Sequence, residues 1–220
     1  MISLERITKS YEKELYKDFS YTFPTEGIIC LFAPSGYGKT TLFRLMLGLD
    51  KPETGRVIGM DKLRTSVVFQ EDRLLPWLSG KENLLAVNQD ETLCEELIEE
   101  FGLQEDILKY PDQMSGGIRR QVSILRALLY DGDVFFLDEP FQAIDIVKRE
   151  EIISILKKRL RGKLTFFITH HLDEVYAFAD CMLILQGTPL QVKQTIYRED
   201  FCSIECLYEK INRYSPYCDL

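Results

Sequence analysis

The sequence has little that would anchor it in a membrane or bind it to a nucleic acid. Its longest apolar stretches are short runs such as residues 28–33, far below the roughly 18 residues that cross a bilayer. Acidic residues outnumber basic ones, 35 to 27, which gives a net charge of -8 at pH 7. Because a protein that contacts a phosphate backbone usually carries a basic excess, DNA and RNA are disfavoured as partners. No basic head followed by an apolar core is visible at the amino terminus, so we expect a cytoplasmic protein without a signal peptide.

Residues that ligate transition metals are sparse or scattered. The two histidines are the neighbours His170 and His171, and the six cysteines are spread along the chain. Without an export signal, we expect free thiols rather than disulfides. Only Cys202 and Cys206 lie close together, and both are far in sequence from the histidines, which argues against a zinc site.

What the sequence does have is an alternation of apolar strands and amphipathic helices. Five short apolar runs without polar alternation predict a mainly parallel sheet that is covered on both faces: 27–33, 65–70, 133–138, 164–170 and 181–185. Helical periodicity appears at 41–49, 91–103 and 147–160. We therefore predict one α/β domain over 1–220, with antiparallel edge strands in the first 23 residues. A helical subdomain is predicted over about 71–130 and a short carboxyl-terminal tail over 186–220.

A loop suited to phosphate follows the first of these strands and leads into a helix. It consists of Ala33, Pro34, Ser35, Gly36, Tyr37, Gly38, Lys39, Thr40 and Thr41. Backbone N–H groups of such a loop converge on phosphate oxygens, and the helix dipole adds to the attraction. This phosphate-binding loop (P-loop) places Lys39 to reach the β- and γ-phosphates and the Thr40 hydroxyl to ligate Mg²⁺. Ala33 and Tyr37 stand where glycine and a small residue are commoner, and we expect Tyr37 to point outward.

The strand predicted at 133–138 ends in two acidic residues, Asp138 and Glu139. The carboxyl edge of a parallel sheet is where such folds place their ligand chemistry. Asp138 is suited to hold the coordination shell of magnesium, and Glu139 is suited to accept a proton from an attacking water.

A third motif identifies a family to which the sequence is similar. Met114, Ser115, Gly116 and Gly117 precede a predicted helix, and by themselves they predict only a helix cap. Between a P-loop and an acidic strand end, they resemble the signature motif of ATP-binding-cassette (ABC) ATPases, and the resemblance extends over about residues 1–187. By the order of the family's motifs, it implies roles for four more residues: Tyr11 stacks on adenine, Gln70 is the Q-loop glutamine and a magnesium ligand, Asp145 is the D-loop aspartate, and His170 is the switch histidine.

The resemblance also implies how such a protein works. Glu139, His170, Gln70 and Lys39 would be the catalytic residues, with ATP and Mg²⁺ as cofactors. ABC ATPases act as head-to-tail pairs, so the partner's signature residues would close over an ATP molecule held by the P-loop. The implied partners are a second ATPase subunit, a transmembrane permease and, indirectly, an extracytoplasmic substrate-binding protein. The permease would hold the chain at the inner face of the cell membrane.

The segment 74–78, Leu-Leu-Pro-Trp-Leu, resembles importer ATPases of the nitrate/sulfonate/taurine group. Trp77 fits the core of the helical subdomain and a permease-facing surface equally well. The expected function is therefore ATP-driven solute import. Two alternatives remain open from the sequence: an ABC exporter ATPase, and a non-transport or regulatory nucleotide-binding ABC protein. The transported solute is not encoded in any motif of this chain.

Overall fold

The structure is a computed structural model that describes residues 1–34 and 36–212, without the side chain of Asn212. Ser35 of the predicted P-loop and the segment 213–220 lie outside the described residues. The chain divides into two compact units. The first contains Met1–Leu63 and the chain from Gly162 onward, and the second contains Arg64–Arg161.

Strands and helices alternate along most of the chain. In chain order the strands are β1 (Ser3–Ser10), β2 (Glu14–Thr22), β3 (Gly27–Phe32), β4 (Thr54–Ile58), β5 (Thr65–Val68), β6 (Val134–Asp138), β7 (Leu164–Ile168), β8 (Cys181–Gln186) and β9 (Gln191–Tyr197). The helices are α1 (Lys39–Met46), α2 (Gly80–Leu85), α3 (Glu91–Phe101), α4 (Gly116–Tyr130), α5 (Ile146–Arg159), α6 (Leu172–Phe178) and α7 (Ile204–Asn212). Short 3₁₀ helices occupy Pro111–Gln113 and Arg198–Asp200.

The first unit contains an antiparallel sheet and a mainly parallel one. In the antiparallel sheet, β1 lies between β2 and β4. In the other sheet, β3 pairs in parallel with both β7 and β8, and β9 pairs antiparallel with β8. The apolar side chains of β3, β7 and β8 are almost entirely buried, as their largely hydrophobic sequences predict. The antiparallel strands predicted at the amino terminus are confirmed by the pairing of β1 with β2.

The second unit is built from the parallel pair β5 and β6 and four helices. Helix α4 packs against α2, α3 and β5, which buries its apolar face. Side chains cap all four helices at their first turns: Ser79, Asp90, Ser115 and Asp145. The predicted fold class, an α/β core with mainly parallel strands, is thus confirmed. The boundaries predicted for the helical subdomain and the tail stay predictions.

Sequence periodicity missed two strands and misjudged one pair of cysteines. Strands β4 and β9 were missed because they are only partly buried and mix polar with apolar residues. Cys30, Cys94 and Cys181 are buried and are not part of a disulfide, as expected. The expectation is wrong for Cys202 and Cys206, because the turn into α7 brings their Cα atoms to 6.0 Å and they form a disulfide. Cys218 lies outside the described residues.

None of the helices in the described ranges, 1–34 and 36–212, has the length and apolar character needed to span a bilayer.

Candidate functional site

The P-loop lies in the first unit, at the carboxyl end of β3. Gly36 and Gly38 have φ values of +79° and +91°, a conformation that favours glycine. Gly38 is also the cap residue of α1, and it has no side chain that would compete for the first N–H groups of the helix. Such a helix start, with its positive dipole end, is suited to bind an anion.

Lys39 lies folded across this loop and is 93% shielded from solvent, with 7% of its surface exposed. Its ammonium donates hydrogen bonds to the carbonyl of Ala33 at 2.6 Å and to the carbonyl of Pro34 at 3.0 Å. Ala33 therefore contributes its backbone, and its methyl group is buried. Tyr37 is 37% exposed, as an outward-pointing side chain should be. With Lys13, it borders a cleft of about 330 Å³ beside the loop.

Tyr16 of β2 supports the P-loop, although no motif in the sequence predicts this role. Its side chain is fully buried, and its hydroxyl donates a 2.8 Å hydrogen bond to the carbonyl of Gly38. Burial raises the pKa of the Tyr16 phenol above its ordinary value, so the hydroxyl stays a donor. In the sequence Tyr16 reads only as a strand residue on a buried face, which is why no local signal distinguished it.

Tyr11, the residue matched to adenine stacking, lies at the surface of the first unit with 58% of its surface exposed. Its hydroxyl donates to the carboxylate of Asp50, and Lys9 binds the same carboxylate at 3.1 Å. The ammonium of Lys9 lies 5.0 Å from the centre of the Tyr11 ring. The hydrogen bond with Asp50 raises the pKa of Tyr11, and that bond together with Lys9 lowers the pKa of Asp50 to about 2. The aromatic ring is thus held in place by its polar end.

His170 lies just beyond the carboxyl end of β7. Leu31 of β3 pairs with Ile168 of β7 in parallel, so His170 and the P-loop follow the same edge of this sheet. The backbone next to His170 is held in place by Thr169, whose buried hydroxyl donates to the carboxylate of Glu174. The same hydroxyl oxygen accepts the N–H of His171 at 3.1 Å.

The second unit brings Gln70, Asp138 and Glu139 to one end of the β5–β6 pair. Val68 pairs with Leu137, so Gln70 and Glu139 each lie two residues beyond that pair. Asp138 is 5% exposed, and Glu139 adopts a left-handed backbone with φ +48°. Non-glycine residues seldom adopt this conformation, and they do so preferentially at functional sites.

Arg120 of α4 contacts the backbone of these segments, and no motif named in the sequence singles it out. Its guanidinium donates to the backbone carbonyls of Phe69, Asp138, Glu139 and Pro140. Burial lowers the pKa of the Arg120 guanidinium, and the nearby carboxylate of Asp72 acts in the opposite direction by raising it. The signal available in the sequence was a charged residue on the buried face of an amphipathic helix.

The signature motif and the D-loop aspartate also lie in the second unit. Ser115 caps α4 by accepting the N–H of Ile118 at 3.2 Å. A Cβ atom on Gly117 would lie 2.7 Å from the carbonyl of Ala143, so only glycine fits there. Asp145, two residues after Ala143, caps α5 by accepting the N–H of Lys148 at 3.0 Å. The start of α4 therefore packs directly against the segment that leads to Asp145.

The predicted site residues thus form two groups. The first unit holds Tyr11, the described part of the P-loop and His170. The second holds Gln70, Asp138, Glu139, Ser115, Gly116, Gly117 and Asp145. The side chains predicted to bind magnesium, those of Thr40, Gln70 and Asp138, offer a hydroxyl, an amide and a carboxylate oxygen, which are donors that Mg²⁺ prefers. The roles predicted for these residues stay predictions.

Comparison with known proteins gives consistent results. The family model described as "ABC transporter" matches residues 16–142. The aliphatic sulfonates import ATP-binding protein SsuB 3 of Pseudomonas syringae is 32% identical over 197 residues, 84% of this chain and 73% of that protein. The taurine import ATP-binding protein TauB of Pseudomonas aeruginosa is 31% identical over 207 residues, 87% of this chain and 79% of that protein. The thiamine import ATP-binding protein ThiQ of Vibrio parahaemolyticus is 33% identical over 199 residues, 81% of this chain and 84% of that protein.

Among solved structures, an ATP-binding cassette determined as a dimer in a post-hydrolysis state, bound to ADP and Pi, has a similar fold. Its TM-score is 0.79 at 24% identity, and the match covers 90% of this chain and 99% of that one. At this level of identity the likeness concerns the fold.

Proposed function

The chain belongs to the ABC transporter family of ATPases, the ATP-driven motors of transporters, and we propose that it powers solute import through a membrane permease. We further propose that the solute belongs to the sulfonate/taurine class. The names of two relatives support this class, and the exposed segment around Trp77 is the single observation in this chain that supports coupling to a permease.

In the proposed mechanism, the P-loop binds the phosphates of ATP through its N–H groups and the ammonium of Lys39. Glu139 accepts a proton from the attacking water, while Gln70 and His170 contact the γ-phosphate. Thr40, Gln70 and Asp138 would hold Mg²⁺, and the ion would supply charge neutralisation of the phosphates. Phosphoryl transfer depends mainly on positioning and charge stabilisation, and these residue types supply both.

A second ATPase subunit completes this proposal. Ser115, Gly116 and Gly117 form the start of α4, a 15-residue helix whose N-terminus attracts anions. We propose that this helix start binds the γ-phosphate of an ATP molecule held by the partner subunit. Asp145 lies on the segment that contacts Gly117 and would face the same partner. Loss of the γ-phosphate would then remove the link between the subunits.

The proposed permease-docking surface is the exposed segment Leu75, Pro76 and Trp77. Trp77 is 69% exposed, which argues against the alternative that it is a core residue. The segment is ordered from within by Asn83 of α2, which is 1% exposed. The side chain of Asn83 accepts the N–H of Leu75 at 2.7 Å and donates to the carbonyls of Leu75 and Leu78. A large aromatic residue on a preordered loop is typical of interface anchors.

The experiment that tests this function begins with the protein expressed in its host. Membranes are solubilised in detergent, and a permease that co-purifies with the tagged chain is identified and reconstituted with it in lipid vesicles. Taurine, an alkanesulfonate or nitrate is enclosed in inverted vesicles together with the substrate-binding protein, ATP is added outside, and release of the solute from the lumen is measured, with thiamine as a competing solute class. We expect ATP-dependent movement in the import direction that requires a substrate-binding protein.

Three results would contradict the proposal in different ways. Transport in the export direction would favour the exporter alternative. ATPase activity of the purified chain together with the failure of any permease to co-purify from the membranes of its host would favour a non-transport protein. Import of thiamine but not of the sulfonates would leave the motor function intact and overturn the solute class.

A further inference from the structure

Arg120 is the charged side chain most deeply enclosed in the second unit, with only 2% of its surface exposed. A buried guanidinium is costly unless every donor finds a partner. In this structure its surroundings consist mainly of backbone carbonyls, and these belong to the two segments that carry Gln70 and Glu139. The backbone carbonyls compensate the cost of burying the Arg120 guanidinium, and they place it between the segments of Gln70 and Glu139.

The geometry uses all three nitrogens of the guanidinium. Nε donates to the carbonyl of Pro140 at 3.2 Å, and one terminal nitrogen donates to the carbonyls of Asp138 and Glu139, the latter at 2.6 Å. The other terminal nitrogen donates to the carbonyls of Phe69 and Gln70, the latter at 3.4 Å. The carboxylate of Asp72 lies 3.5 Å from that same nitrogen. One side chain thus joins the end of β5 to the end of β6.

This contact coincides with the unusual backbone of Glu139. A left-handed conformation at a glutamate persists only where the surrounding structure determines it. Arg120 binds the carbonyls of the residue before Glu139, of Glu139 itself and of the residue after it. The guanidinium is therefore placed to fix the direction in which the Glu139 side chain leaves the chain.

We propose that Arg120 is a positioning residue for ATP hydrolysis, which fixes the backbone of Glu139 and links it to the backbone of Gln70. The inference rests on the proposed roles of those two residues. Arg120 acts through them and does not itself contact the nucleotide. A change in the segment at Gln70 is then transmitted to Glu139 through a single planar group.

The chemistry of arginine explains why this position would demand it. Its five N–H donors are arranged in a rigid plane, which lets opposite edges bind two separate backbone segments. Lysine has one ammonium that binds at a single point, so it replaces the charge without the bridge. Methionine fills similar space and replaces neither.

The test compares Arg120→Lys and Arg120→Met with a matched control, Arg126→Met. Arg126 lies on the same helix, and its guanidinium donates to the carbonyls of Asp72 and Arg73. For each variant, the free energy of unfolding, the Kd for ATP and the kcat per folded molecule are measured. We expect Arg120→Met to lower kcat about 10²-fold with the Kd for ATP changed less than about threefold.

Two further results would distinguish positioning from mere support of the fold. Arg120→Lys should recover part of the lost kcat, and Arg126→Met should lose stability while keeping its kcat. In a Glu139→Gln background, Arg120→Met should lower kcat little further, because the two changes act on one step. If Arg120→Met does not fold, Arg120→Lys is measured in its place. A lowered kcat with the Kd for ATP changed less than about threefold would support the inference.

Unchanged kcat per folded molecule in the Arg120 variants would overturn the inference and leave the proposed function standing. If the losses of kcat in Arg120→Met and Glu139→Gln were fully additive in free energy, the inference would also be overturned. A wild-type chain without ATPase activity, or normal turnover by Glu139→Gln alone, would instead overturn the proposed roles on which the inference rests.

Discussion

The hydroxyl of Tyr16 is bonded to the carbonyl of Gly38 at 2.8 Å, so a buried residue of β2 is tied to the residue that caps α1. Gly38 has the left-handed φ of +91°, and a Cβ atom at that position would lie 3.4 Å from the Tyr16 hydroxyl. The antiparallel sheet therefore contributes directly to the shape of the P-loop. Removing this hydrogen bond tests whether the loop needs that support.

Tyr16→Phe should lower the free energy of unfolding by about 1 kcal/mol, because the carbonyl of Gly38 loses a buried donor. The affinity for ATP should fall about threefold, since the residue that starts the anion-binding helix is less well fixed. Urea denaturation and a fluorescent nucleotide titration measure the two quantities. Tyr21→Phe is the control: Tyr21 lies on the same strand, and its hydroxyl bonds to Thr195 away from the P-loop. Equal losses of ATP affinity in both variants would contradict a specific role for Tyr16.

The proposed adenine contact of Tyr11 can be separated from its hydrogen bond with Asp50. Tyr11→Phe keeps the aromatic ring, so its affinity for ATP should remain within about twofold of the wild type. Tyr11→Ala removes the ring, and a stacking contribution of about 1 kcal/mol or more predicts at least about a fivefold loss. Isothermal titration with ATP measures both. An equal loss in both variants would assign the effect to the bond with Asp50 instead of to stacking.

The pKa of Asp50 reports whether Tyr11→Phe has removed the hydrogen bond between the two residues. The pKa of Asp50, about 2 in the folded protein, should rise toward its ordinary value when the hydroxyl is removed. Because this pKa is depressed by folding, the associated stability is present above the unfolded pKa of about 4 and is lost as the pH falls toward 2. An NMR titration of the Asp50 carboxyl measures the change. An unchanged pKa would show that the hydrogen bond does not form in solution.

Glu139→Gln should spare ATP binding and lower turnover by about 10²–10⁴-fold, because the amide cannot accept the proton of the attacking water. With ATP bound and not hydrolysed, the proposed dimer should accumulate, and size-exclusion chromatography with ATP measures it. The control is Asp133→Asn, which neutralises an exposed carboxylate that precedes β6 and should keep normal turnover. Near-normal hydrolysis by Glu139→Gln would show that Glu139 is not the base.

Trp77→Ala should leave the isolated chain folded and able to hydrolyse ATP, because the indole is 69% exposed. Assembly with the permease should weaken by about 2 kcal/mol or more, the contribution of a typical aromatic anchor. Co-purification from membranes and transport in vesicles measure the loss. Leu108→Ala, an apolar residue of the same unit that is 66% exposed, is the matched control. Unfolding or loss of basal ATPase activity in Trp77→Ala would identify a structural residue, and full transport would remove the docking role.

The sequence by itself determined the elements whose signals are local. Runs rich in apolar residues identified β3, β5, β6, β7 and β8, since a strand buried on both faces carries mostly apolar side chains. The P-loop and the signature motif are each one continuous stretch of sequence, so these motifs and their order along the chain carried the resemblance to ABC ATPases. Periodicity predicted a helix over 91–103; α3 begins at that first residue and ends two residues earlier, because Gly102 adopts a left-handed φ of +66° and caps it.

Only the tertiary structure decided which ordinary residues support the site. Tyr16, Asn83 and Arg120 look in the sequence like a strand aromatic, a helix amide and one of two neighbouring arginines. Arg120 reaches Phe69 and Pro140, which lie 51 and 20 residues away along the chain. Such partners are set by how strands and helices pack, and no window of local sequence contains both ends of the contact. The exposure of Trp77 was decided in the same way, because hydrophobicity alone does not tell whether a side chain faces the core or the solvent.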